Sequence, residues 1–497
     1  MVSQPFSNYD KQVFILNIEN PIDRGALLSR YSRTSNLDIR ELYRKEFESN
    51  PNRGKDFYER VFLEYGDESV AELVTAQLAI QDVSNILSKI IEESRIGLSF
   101  LEKSSRYVSY DKLRNGKYLY LPIEKTGIDL SFESKYNDIM DKLFHLYSSW
   151  INPVREQLKK DMPKESFNGE WDKEKEKAYE TAIRSRAFDD VRAILPASTL
   201  TNIGISGNLR SFIYLIQRLN SSNEVEAKEI GRALYEELLQ QFPELIRSAS
   251  SKYSGQNEEY MGKIKTTCIA KESILETGKN RVKLLSTNAT DVQSIKNLFQ
   301  FRNNEFSSLE EMYNFYGKLR NSRRNKLPRE FEHIWAQYEI VTNYGAFREF
   351  QRHRFMSIIR PNLDLSLGYH IPEYIAKTEG LMLSYREIMQ EIKEFYDEIK
   401  IKSGSNAAQY ILPMGTLYKM VVSTNLRELV YFSELRSTPQ SHPDLRELSI
   451  GMVQHFLDKV PESSSIFNFV DRNLYTLGRF DQEYRKEKKL QNLNGVE

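Results

Sequence analysis

At 497 residues the chain exceeds one ordinary domain and is long enough to bury two or three cores. Its 70 Lys and Arg balance 70 Asp and Glu with no basic block, which excludes a general polyanion-binding surface and favours a small-molecule site. The single cysteine, Cys268, excludes internal disulfides and a cysteine metal cluster and fits a reducing compartment; its simplest role is that of a buried small apolar residue. No apolar run approaches the roughly 18 residues of a membrane span, and Met1-Val-Ser-Gln-Pro-Phe6 lacks a basic-then-apolar signal pattern, so a soluble cytoplasmic protein is expected.

The chain is written twice. Ala26-Leu-Leu-Ser29 recurs as Lys283-Leu-Leu-Ser286, and Glu72 corresponds to Glu332. Ile194-Leu-Pro196 with Asn208-Leu-Arg210 returns as Ile411-Leu-Pro413 with Asn425-Leu-Arg427, both at an offset of 217. The earlier offset of 260 puts an insertion in the first half, placed at Lys125 to Lys177, where Lys and Glu dominate and Asn168-Gly169 marks a turn. That insertion reads as exposed helix and loop.

Each copy shows the same local grammar. Val74, Ala76, Leu78 and Ile80 alternate with polar residues as in a strand, and Asp82 or Ser84 is placed to cap a helix through Ile91. Ile334, Ala336, Tyr338 and Ile340 repeat the alternation, and Thr342 or Asn343 is placed to cap a helix to Gln351. Asn208 to Leu219 and Asn425 to Leu435 read as amphipathic helices, and the polar run from Ser250 to Gly262 reads as the boundary. The expected fold class is α+β: two tandem repeats, 1–255 and 256–497, each a sheet packed with helices.

Two motifs carry chemistry. Ser99-Phe-Leu-Glu-Lys-Ser-Ser-Arg-Tyr107 gathers Glu102, Ser104 and Arg106 in a form suited to a small anionic ligand, or to a solvated turn with a local ion pair. Gln351-Arg352-His353-Arg354 followed by Ser357 is the second motif, and it also reads as a basic helix end. Together they resemble the two halves of the signature of flavin-dependent thymidylate synthases of the ThyX type. The first half has Ser99, Glu102, Ser104, Arg106 and Tyr107 but no Arg-His-Arg; the second has Arg-His-Arg, preceded by a similar Phe331-Glu332-His333, but Arg360, Asn362 and Asp364 where Glu, Ser and Arg are expected. Arg192, ahead of Leu195-Pro196, and Arg436 match a further pair of family positions, again one from each copy.

What the resemblance implies is a composite site formed by both repeats. Glu102, Ser104, Arg106, Arg192, Arg352 and Arg436 would bind substrate. Arg352, His353, Arg354, Glu332, His333, Asn208, Arg210, Asn425 and Arg427 would lie against the flavin, the two Asn residues reading equally well as helix caps. The implied reaction is reductive methylation of dUMP, with FAD as cofactor, methylenetetrahydrofolate as one-carbon donor and NADPH as reductant, with no covalent nucleophile, metal or nucleic acid. A homodimer forming a pseudo-tetramer of repeats is expected by analogy. Leu101 in place of Asn, Glu349 in place of Gln and Arg218 one place out of register depart from the family pattern. They leave open two alternatives: a catalytically inactive flavin- or nucleotide-binding relative with a regulatory or scaffold role, and a flavoenzyme acting on another pyrimidine.

Overall fold

A computed structural model describes residues 4–35, 38–64, 68–267, 281–300 and 306–494; Cys268 lies outside the described residues. The chain divides into two compact units. One gathers Met1–Lys103, Glu124–Gly127 and Leu200–Ile269; the other gathers Ser104–Ile123, Ile128–Thr199 and Ala270–Glu497. The units therefore do not follow the repeats: a large part of the first copy folds into the same unit as the second. No described helix is long and apolar enough to cross a membrane.

The first unit holds a three-stranded antiparallel sheet of β1 (Thr75–Ser84), β2 (Leu98–Glu102) and β3 (Leu200–Asn208), with β3 central. After β1, Ser84 Oγ accepts from Leu87 N and starts the helix Asn85–Glu92, which turns its apolar residues inward. The turn into β2 needs glycine twice. Gly97 has a φ of +74°, and a Cβ on Gly207 would come within 2.4 Å of the Gly97 carbonyl oxygen. Asn208 then caps the helix Leu209–Asn220.

The second unit repeats this arrangement and adds to it. Its antiparallel sheet runs β4-β5-β7-β6, from β4 (Arg281–Thr287), β5 (Trp335–Asn343), β6 (Ser357–Ile359) and β7 (Leu417–Asn425). Asn343 caps the helix Tyr344–Phe350, and Asn425 caps Leu426–Arg436. The correspondence extends to single contacts. Glu72 meets Arg210 at 2.8 Å in the first copy, as Glu332 meets Arg427 at 2.6 Å in the second. Leu209 N donates to Val74 O, and Leu426 N donates to Ile334 O.

Within the second unit the two Ile-Leu-Pro segments pair with each other. Gly415 N and Met414 N donate to Ala193 O and Leu195 O, while Ser198 N and Ala197 N donate to Tyr410 O and Leu412 O. With the Pro196–Pro413 bridge at its centre, this is a local two-fold relation between the copies. The long helices Glu133–Asp161 and Leu381–Ser403 run antiparallel beside it, joined by Lys135–Glu398 and Lys142–Glu391 ion pairs and a Trp150–Tyr385 ring contact.

Two expectations are corrected. Ala26–Ser29 lies within the helix Pro21–Tyr31, whereas Lys283–Ser286 lies in β4, so that short likeness is not a structural correspondence. The region 125–177 is not simply exposed: Glu133–Asp161 buries Tyr136, Met140, Phe144, Tyr147 and Trp150. Its counterpart is Leu381–Ser403, and the added element follows it as the helix Lys173–Val191, which the second copy replaces with the short turn Ser405–Ala408.

Candidate functional site

The helix Lys173–Val191 begins at the capping side chain of Asp172 and ends in a buried turn, Arg186-Ala-Phe-Asp189-Asp190. Acids in a last turn oppose the helix dipole, so their burial there needs cations. Arg106 supplies one for Asp189, with Nε donating to Oδ1 at 2.6 Å and Nη2 to Oδ2 at 2.7 Å. Arg186, one turn earlier, binds Asp190 and also reaches Glu373 at 3.0 Å, while Asp190 accepts from Tyr374 N.

Glu349 comes to the same place from the helix Tyr344–Phe350, every residue of which is buried. One carboxylate oxygen accepts from Arg192 Nη2 at 3.0 Å and the other from Arg106 Nη1 at 3.3 Å. Arg192 also donates to Ser105 Oγ, the neighbour of the expected Ser104. Burial alone would raise the pKa of these carboxyls. The charges outweigh it: Arg106 and Arg192 hold Asp189 below the usual carboxylate range, and Arg106, Arg192 and Arg352 hold Glu349 well below it. Two guanidinium groups are thus matched by two carboxylates.

Arg436 closes one side of the cluster, donating from Nη2 to the Glu349 carbonyl oxygen at 3.4 Å and from Nε to His353 Nε2 at 2.8 Å. His353 Nδ1 then faces Glu428 Oε1 at 3.3 Å as donor, which sets the neutral tautomer, and burial depresses its pKa. On the other side His442, buried and uncharged, has its pKa pushed down to about 4, chiefly by burial and then by Arg192. Its Nε2 faces Asp189 O at 3.4 Å, and its Nδ1, without a hydrogen bond, stands 3.7 Å from Asp444 Oδ2. Asn343, the helix cap, holds Asp444 with a 2.6 Å bond from Nδ2.

A cavity of about 820 Å³ opens beside this cluster, lined by Arg106, Arg186, Asp189, Arg192, His442 and Asp444 and, from a later segment, by Arg472 and Leu474 to Arg479. The structure thus brings Arg106 and Arg192 of the first copy to Glu349, His353 and Arg436 of the second. Of the other expected residues of this unit, none lines the cavity. Glu102 is buried in the first unit against Lys89 at 3.0 Å, and Ser104 Oγ accepts from Arg106 N. Arg352 is exposed and Arg354 half-buried, and neither they nor Glu332, His333, His353 and Arg427 line the cavity. Arg218 binds Glu93 in the first unit. Asn208 and Asn425 are helix caps, and Arg210 and Arg427 are engaged by Glu72 and Glu332. Among the described residues no group of three His, Cys, Asp or Glu is placed to hold a metal ion.

Residues missed from sequence are Asp189, Asp190, Arg186, Ser105, His442 and Asp444. The one available signal was the Arg186/Asp190 spacing of a helical ion pair just before Arg192.

The architecture defines a tandemly duplicated α+β protein with a charge-paired cavity in one of its two units. A family model described as thymidylate synthase complementing protein matches residues 17–244 and again 264–462. A UPF0159 protein of Thermoplasma acidophilum is 43% identical over 496 residues, covering 94% of this chain and 99% of that protein. A UPF0159 protein of Chlamydia muridarum is 32% identical over 523 residues, covering 97% of this chain and 96% of that protein. A flavin-dependent thymidylate synthase of Thermococcus onnurineus is 30% identical over 112 residues, 20% of this chain and 45% of that protein. The chain belongs to the thymidylate synthase complementing protein family, with the family's domain present twice.

Proposed function

We propose that the protein is a ligand-binding member of its family that does not methylate dUMP and serves as a regulator or scaffold. The observation that carries this reading is the occupation of Arg106 and Arg192 by Asp189 and Glu349. In the synthase reading those guanidinium groups hold the nucleotide phosphate. Here a phosphate dianion would have to displace a bidentate buried carboxylate and sit beside a second one. Breaking a buried pair costs about 3–5 kcal/mol, and the displaced carboxylate then adds repulsion.

The synthase reading keeps one specific support: residues of both copies do meet, with Arg106 and Arg192 beside Glu349 and Arg436. It requires FAD, methylenetetrahydrofolate and a reductant such as NADPH, and a flavin when bound would supply the hydride. Two of the groups expected around that flavin do not fit it as free donors, because Arg210 and Arg427 are ion-paired. A cytoplasmic homodimer with a pseudo-tetramer of repeats belongs to this second reading.

Two measurements decide between the readings. The purified protein is mixed with FAD and titrated with dUMP while its absorption spectrum is followed, and the gene is tested in a thymidine-requiring strain. The proposal expects no dTMP formation and no rescue. Rescue that disappears in Arg106→Ala would establish the synthase.

A further inference from the structure

The cavity of the second unit contains one buried arginine that lacks what its neighbours have. Arg106 has Asp189 and Glu349, Arg186 has Asp190 and Glu373, Arg192 has Glu349, and Arg446 has Asp471. Arg479 lines the same cavity with only 8% of its surface exposed, and among the described residues no carboxylate pairs with it. Its Nε is buried without a hydrogen-bond partner, and its guanidinium lies over the Tyr107 ring, 4.6 Å from the centroid. Such a cation–π contact offsets less than the carboxylate partners its neighbours have.

We propose that Arg479, with Arg472, binds an oxyanion: the phosphate or carboxylate group of the ligand that enters this cavity. Arg472, which is exposed, also lines the cavity and offers a second guanidinium. The segment carrying both is pinned at its two ends. Arg446 Nη2 donates to Asp471 O at 2.8 Å and Asp471 N donates to Ser437 Oγ at 3.0 Å. At the other end, a Cβ on Gly478 would meet Pro439 O at 1.9 Å, so only glycine permits that close approach. A fixed strap loses little freedom when an anion arrives.

Arg479 also directly precedes the helix Phe480–Asn494, whose N-terminal dipole adds to the attraction. Of the acids in that first turn, Asp481 is exposed and Glu483 is paired with Lys486 at 3.2 Å. The strap lies beyond residue 462, where the family match ends. The anion position of this cavity would thus lie at Tyr107 and Arg479, while the neighbouring Arg106 is held by protein carboxylates.

The test is calorimetric titration of the full chain with inorganic phosphate and, separately, with acetate; the tighter of the two identifies the anionic group. Arg479→Gln should weaken that binding tenfold or more, Arg479→Lys should weaken it less, and Arg472→Gln, at an exposed position, should weaken it several-fold without loss of fold. The proposal is overturned if neither anion binds, or if Arg472→Gln and a folded Arg479→Gln bind as tightly as the unaltered chain. Should Arg479→Gln not fold, the Arg472→Gln affinity alone decides. Anion binding is read without any methylation assay, so its outcome is separate from whether the protein turns over dUMP.

Discussion

The Glu349 carboxylate takes Arg192 Nη2 at 3.0 Å, and through that bond a residue of the second copy neutralises an arginine of the first. Its other oxygen does the same for Arg106 at 3.3 Å. Glu349→Gln keeps the shape and removes the charge, leaving two buried guanidinium groups to share Asp189. The loss should be about 3–4 kcal/mol in urea unfolding, toward the lower end of what breaking a buried pair costs. Asp189→Asn combined with Glu349→Gln should open the phosphate position, so that dUMP raises the melting temperature of the double variant and not of the unaltered protein. Equal responses of the two would refute the closure argument.

His442 gives the protein an acid sensitivity with a definite sign. Its folded pKa, about 4, lies below the ordinary 6.5, so between these values the unfolded chain takes up a proton that the folded chain refuses. Stability is full above the unfolded value and falls as pH drops from 6.5 toward 4, by roughly 1.4 kcal/mol per pH unit at most. Asp189 and Glu349 have depressed values too, and their contribution is lost only below the ordinary carboxylate range. Urea unfolding midpoints measured across this window should slope in the unaltered protein and flatten in His442→Gln.

At the two-fold relation, a Cβ on Gly415 would come within 2.1 Å of Tyr385 Oη and 3.1 Å of Ala193 O. Gly415→Ala should therefore cost about 1–3 kcal/mol as overpacking. Tyr385→Phe removes the nearest atom along with its bond to His370 O. The double variant should lose less than the sum of the two single losses, and simple additivity in chemical denaturation would contradict this geometry.

Ser84 serves two partners in the first unit, accepting from Leu87 N at 3.0 Å and donating to the buried Glu226 at 2.6 Å. Ser84→Ala loses a helix cap, about 1 kcal/mol, and deprives a buried carboxylate of a donor, about 1–3 kcal/mol more. Adding Glu226→Gln should return part of the loss. Faster hydrogen exchange at the Leu87 amide would locate the effect in the cap.

The strand-then-helix grammar of each copy could be read from the chain because it is local. Alternation at Ala76, Leu78 and Ile80 and a capping residue at Ser84 or Asn343 need nothing distant to act. The Ile-Leu-Pro and Asn-Leu-Arg correspondences were legible for the same reason, and the capping role of both Asn residues is what the structure displays. The carboxylate lock was not legible. Asp189 meets Arg106 across 83 positions and Glu349 meets it across 243, and no local pattern reports such pairings. The Lys- and Glu-rich start of Lys173–Val191 reads as a solvated helix, while its last turn is buried by elements far away in sequence. The Leu-Leu-Ser likeness misled because three residues with no periodicity of their own fit a helix and a strand equally well.

The hydrogen bonds that join residues 193–198 to residues 410–415 lie within a single polypeptide. Two separate chains meeting through such a seam would part on dilution, whereas tethered partners face each other at an effective concentration set by the linker, on the order of millimolar for short flexible ones. Dilution therefore exerts no pull on this contact. Each copy is released from having to recognise its own twin, and a substitution such as Glu349 needs to suit only one neighbour.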